Sequence, residues 1–137
     1  MDNSLLVGKY MLKILESNEE LMQALPIDKC FALCADTNLA TYPYMTFARS
    51  YIQPEYNKDF ALRPRVTNNI VQLNIDIHDN TYDGSVELAN LFRNALEGVG
   101  YRDEDISIDR FQLIGASETT DGDKDYCQIL VFQTEIH

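Results

Sequence analysis

Residues Ile70 to His78 constrain the fold more than any other stretch. Val71, Leu73, Ile75 and Ile77 alternate strictly with Gln72, Asn74, Asp76 and His78. A period of two sends successive side chains to opposite faces of a strand, so one face is apolar and the other polar. Such a strand belongs to a sheet covered on one side, and the rest of the chain must supply the cover.

Two segments can supply it. From Ser4 to about Leu25 the apolar residues Val7, Met11, Ile14, Leu21, Met22 and Leu25 recur near helical spacing, opposite Lys9, Lys13, Glu16, Glu19 and Glu20, which predicts one amphipathic helix ending at Pro26. A second helix is predicted after Asp79-Asn80-Thr81, with Asp83 as N-cap, Glu87 in its first turns, and a stripe of Leu88, Leu91, Phe92, Ala95, Leu96 and Val99. Gly98 or Gly100 suits a left-handed exit.

The remaining strands are read from β-forming runs. Cys30 to Leu33 is a short candidate, and Tyr44 to Tyr51, entered through Pro43, is a firmer one that Pro54 interrupts. Ile106 to Ser117 and Tyr126 to Ile136 form a terminal pair joined by the acidic turn Thr119 to Asp125. The expectation is a single α+β domain over residues 1–137, with an antiparallel or mixed sheet of about four to five strands and two helices packed on one face. Residues 53–69, polar and irregular, are expected to form a long arm or hairpin.

With 137 residues the chain can bury one core without disulfides or metal. The start of the sequence reads as neither a signal peptide nor a membrane span, and three cysteines, Cys30, Cys34 and Cys127, read as reduced thiols of a cytoplasmic protein. Charge is unevenly distributed. Residues 1–69 hold 7 basic and 8 acidic side chains, net −1, whereas residues 70–137 hold 4 basic and 14 acidic, net −10. That surface repels phosphate backbones, which disfavours a sequence-reading nucleic-acid domain but not one past which DNA slides.

Motifs for chemistry fail their spacing checks. Asp121, Asp123 and Asp125 alternate like the start of an EF-hand loop, but Tyr126 stands where the glycine is needed and Phe132 where the bidentate glutamate is needed, so a solvated turn is expected. Cys30 and Cys34 would need further ligands from Cys127, His78 or His137, which lack paired spacing, so no metal site is expected. There is no nucleophile elbow, recognisable Cys-His pattern or phosphate-binding glycine loop. Asp76 and His78 are the best enzyme-like pair, since residues two apart share a strand face and a carboxylate can orient an imidazole. Tyr42, Tyr44, Phe47, Tyr51 and Tyr56 suit an interface wherever they lie on the side away from the core.

Tyr42 to Phe47, Val71 to His78 with Tyr82 to Glu97, and Asp125 to Phe132 together resemble the tail-completion or tail-terminator (minor tail, head-tail joining) proteins of tailed bacteriophages and prophages. The resemblance runs over most of the chain. It implies a non-enzymatic structural protein without cofactor, made in the bacterial host cytoplasm and placed in the virion tail or neck. There it would form a homo-oligomeric ring, commonly hexameric, on the head-proximal end of the tail tube, stop tube growth and join the tail to the head-tail connector.

The residues suggest surfaces for such a ring, whose head-to-tail closure needs two different patches. Lys58, Arg63 and Arg65 on the arm could reach Asp103, Glu104 and Asp105 of a neighbour. Asn74, Asp76 and His78 form a polar strand face that could line the lumen, through which DNA can pass without sticking. The competing expectation is a small ligand-binding or regulatory domain with a pocket on the Asp76/His78 face.

Overall fold

The computed structural model describes residues 4–35, 41–57, 65–120, 122 and 124–137. Among these residues three helices, α1 (Val7–Glu16), α2 (Glu19–Ala24) and α3 (Tyr82–Leu96), accompany seven strands: β1 (Cys30–Ala32), β2 (Tyr44–Asn57), β3 (Arg65–Asp79), β4 (Tyr101–Arg102), β5 (Ser107–Ile108), β6 (Gln112–Thr120) and β7 (Tyr126–Ile136). Single 3-10 turns stand at Ser4–Leu6 and Ile27–Lys29. This is the expected α+β class, with more elements than the sequence predicts.

The strands run β1-β2-β3-β7 across one sheet. The far edge of β7 is shared by β6, which pairs it from Tyr126 to Gln133, and by β5, which meets it at Ile136 and pairs β4 on its other side. Only β1 runs parallel to its neighbour, so the sheet is mixed. The four to five strands expected become seven because two-residue strands such as β4 and β5 are too short to show any periodicity. The run expected from Ile106 to Ser117 is therefore two strands, separated by Asp109, Arg110 and Phe111.

The first helix also divides. Ser17 and Asn18 interrupt it, with the Ser17 hydroxyl donating to the Ile14 carbonyl at 2.7 Å and the Asn18 side chain accepting from the Leu21 amide at 3.0 Å. Asn18 caps the new helix, and Glu19 and Glu20 sit where the helix dipole favours negative charge. Thr81, not Asp83, caps α3, its hydroxyl accepting from the Gly84 amide at 3.1 Å, and Asp83 lies in the first turn. The helix exits through Gly98 at φ +79, a conformation that costs glycine little. Gly100 has a separate requirement: a Cβ there would stand 2.6 Å from the Ile108 carbonyl oxygen.

Of the expected arm or hairpin, residues 53–57 and 65–69 are regular rather than irregular, being the paired ends of β2 and β3. The pairing of β2 with β3 runs from Tyr44 opposite His78 to Asn57 opposite Arg65, and Pro54 lies opposite Asn69 within it. Proline is tolerated there because β1 pairs with β2 from Met45 to Phe47, and among the described residues β2 is the sheet edge beyond. Residues 58–64 lie outside the described residues.

The alternation of β3 decides the layering. Val71, Leu73, Ile75 and Ile77 are buried, with Leu130 and Phe132 of β7 beside them, under Val7, Met11 and Leu15 of α1 and Leu88, Phe92 and Leu96 of α3. Burying each large apolar side chain contributes about 1.5–3 kcal/mol, so this helix-covered face holds the domain together. Phe111 meets Phe132 edge-on at 6.5 Å.

Candidate functional site

The register that buries one face assembles the other. His78 lies opposite Tyr44 on β2 and opposite Cys127 on β7, and Asp76 lies opposite Thr46 and Ile129. Side chains directly opposite on adjacent strands share a face, so Tyr44, Asp76, His78 and Cys127 meet on the side away from the helices.

His78 is held from three directions. Its Nδ1 lies 3.0 Å from Asp125 Oδ1, and the two side chains are only 17% and 10% exposed. Its Nε2 stands 3.8 Å from Cys127 Sγ. The Tyr44 ring stacks on the imidazole, centroids 4.6 Å apart and planes within 10°. Tyr44 is itself packed by Tyr42 at 5.6 Å and by Phe31 of β1 at 6.4 Å. Asp125, expected in a solvated turn, is instead buried against His78. Asp121 and Asp123 lie outside the described residues.

Electrostatics set what this cluster can do. Burial pushes the Asp76 carboxyl above its ordinary range, with partial relief from His78. Burial, then the nearby Asp76 and Asp125 carboxylates, push the Cys127 thiol up to about 12. A nucleophilic cysteine needs the opposite shift. Cys30 is likewise raised to about 12, by burial first and Asp28 second.

Among the described residues, two groups of side chains bring metal-capable atoms within 4.8 Å of one another, Asp76 with His78 and Cys127, and Asp109 with Glu135 and His137. In the second group both ring nitrogens of His137 already have partners, Asn68 Oδ1 at 2.7 Å and Asp109 Oδ2 at 3.0 Å. The first group has no sequence spacing to reveal it, because its side chains come from two strands. Only the β3–β7 register could have found it.

The other residues singled out from the sequence are dispersed. Asn74 joins Asp76 and His78 on the helix-free face, where all three are half-buried. Asp103, Glu104 and Asp105 form the exposed turn between β4 and β5. Asp103 is committed to that turn, accepting the amides of Asp105 at 2.8 Å and Ile106 at 2.9 Å and the Tyr101 hydroxyl at 3.1 Å. Its carboxyl is held below the usual range, chiefly by the Asp105 amide. Arg65 opens β3, whereas Lys58 and Arg63 lie outside the described residues. Of the aromatic run, Phe47 points into the core beside Met45 of the same strand, while Tyr51 lies on the helix-free face and is 46% exposed.

Three surface clefts bear on the ligand-binding alternative. They lie beside Asp109 and Glu135, between Tyr82 and Tyr126, and beneath Leu5 and Leu33, and Asp76 and His78 line none of these three. No helix among the described residues is long and apolar enough to cross a membrane.

The class defined by this arrangement is an α+β domain whose mixed sheet is helix-covered on one face only. The same fold occurs in a chain from the virion of a native gene transfer agent particle, at a TM-score of 0.70 and 12% identity, covering 92% of this chain and 90% of that one. A second solved structure shares it at a TM-score of 0.65 and 15% identity, over the whole of this chain and 96% of its own. No protein-family model and no curated protein matches the chain in sequence.

Proposed function

We propose that this chain is a virion structural protein of a phage or prophage that forms a ring at the head-proximal end of the tail tube, terminates tail growth and joins the tail to the head connector. The observation that carries this reading is the match of nearly the entire fold to a chain of a gene transfer agent virion. The tail-terminator role rests on the sequence resemblance, to which the likeness of fold adds a virion setting. The protein acts by assembly, without catalysis, as a virion tail or neck component made in the host cytoplasm, with the tube protein and connector as partners.

Two surface properties support assembly. Leu5, Leu6 and Leu33 are 61%, 48% and 77% exposed at the β1 end of the molecule, an apolar cost that a neighbouring subunit would remove. The acidic turn Asp103 to Asp105 is exposed for an arm carrying Lys58, Arg63 and Arg65 on the next subunit. Asn74, Asp76 and His78 would face the lumen in this reading, presenting DNA with no cationic grip.

Electron microscopy of particles made with and without the gene tests the role. Tails that lack the protein should overgrow or fail to join heads, and normal joined tails would refute it. Sedimentation of Arg63→Glu/Arg65→Glu tests the interface separately, with a shift from ring to monomer expected.

A further inference from the structure

We propose that Asp76, His78 and Cys127 bind one divalent zinc ion on the helix-free face of the sheet. The three side chains supply a carboxylate oxygen, an imidazole nitrogen and a sulfur, all within 4.8 Å of one another. A mixed O, N and S set suits zinc, whereas calcium and magnesium take oxygen ligands alone.

The spacing fits the ion. A tetrahedral zinc with bonds of about 2.3 Å to sulfur and about 2.05 Å to nitrogen separates those two atoms by roughly 3.6 Å. Cys127 Sγ and His78 Nε2 stand 3.8 Å apart. The Asp76 carboxylate lies within 4.8 Å of the other two ligand atoms, and closing on the ion requires a change in its side-chain torsions.

His78 is also oriented as a metal ligand is. A ligating histidine presents one nitrogen to the metal and engages a carboxylate with the other, which fixes its tautomer and ring plane. Here Nδ1 is held by Asp125 at 3.0 Å and Nε2 faces the sulfur, while Tyr44 stacks on the ring and restricts its rotation. Asp125 and Tyr44 are thus positioning residues, and the three ligands sit on two adjacent paired strands rather than on a loop. Three protein ligands leave a fourth position for water or a group from a partner.

The site is independent of the proposed virion role and would stand if that role failed. Its test uses the full reduced chain, stripped with a chelator and titrated with cobalt(II) as a spectroscopic stand-in for zinc. One cobalt per chain should bind, with a thiolate-to-cobalt charge-transfer band and the visible bands of tetrahedral cobalt, and equimolar zinc should displace it. In the variant Cys30→Ser/Cys34→Ser, Cys127 is the sole cysteine, and both bands should persist at the same stoichiometry. Their disappearance there would overturn the proposal, as would no band in the unaltered chain. Asp125→Asn should still bind, about 10–100-fold more weakly. Cys127→Ser, checked for folding by circular dichroism, should lose the charge-transfer band, and a folded Cys127→Ser that keeps it refutes the assignment.

Discussion

Truncating Phe132 to alanine tests the layering on which every functional statement depends. Phe132 is fully buried at the middle of β7, between Leu73 on β3 and Leu113 on β6, with its ring edge-on to Phe111 at 6.5 Å. Loss of a buried phenylalanine costs about 3–5 kcal/mol, within which the aromatic pair accounts for about 0.5–1.5 kcal/mol. Its neighbour Val131 points to the helix-free face and is half-buried. Removing two methyl groups at about 0.8 kcal/mol each, halved for partial exposure, predicts about 1 kcal/mol for Val131→Ala. For a domain of this size the phenylalanine change should lower Tm by roughly 10–20 °C. Urea unfolding followed by circular dichroism should show a lower midpoint at unchanged slope. Equal costs at positions 131 and 132, or a larger cost at 131, would mean that β7 is turned over, since a one-residue slip exchanges the two faces.

Other perturbations separate local from global features. Thr81→Ala should destabilise α3 by about 1 kcal/mol through loss of the cap on the Gly84 amide, measurable by chemical denaturation. Gly100→Ala should be the most damaging of the glycine changes, because the Ile108 carbonyl that its Cβ meets is backbone. Gly98→Ala has open space and should cost only about 1 kcal/mol for its positive φ. Asp103 titrates lower in the folded chain, so its contribution is complete above the unfolded carboxylate value of about 3.9 and disappears as pH falls through the folded value. Carbon-detected NMR titration should therefore place the Asp103 carboxyl below an ordinary aspartate.

How much of this was legible depended on whether a feature was periodic. The alternation of Val71 to His78 carried enough repeats to reveal both the strand and its buried face, and the stripe of α3 did the same for a helix. The break at Ser17–Asn18 left the apolar pattern nearly in phase, and its only sign was a capping asparagine followed by two glutamates. Pro54 read as a terminator because a sequence does not reveal where a strand passes from the interior to the edge of a sheet. At the site, Asp76 and His78 could be paired by their spacing on one strand. Cys127 and Asp125 could not, since their approach depends on pairing across about fifty residues, and turn composition made Asp125 look solvated when it is buried.

The position of β7 has a consequence for how the molecule is made. It is last among the strands in chain order, yet it lies between β3 on one side and β5 and β6 on the other. At translation rates of about 5–20 residues per second, several seconds separate the emergence of Asp79 from that of Tyr126. During that interval β2 and β3 can already pair beneath α1 and α3, but the edge of β3 that β7 will take stays open. The sheet is therefore completed only after the last strand has been made.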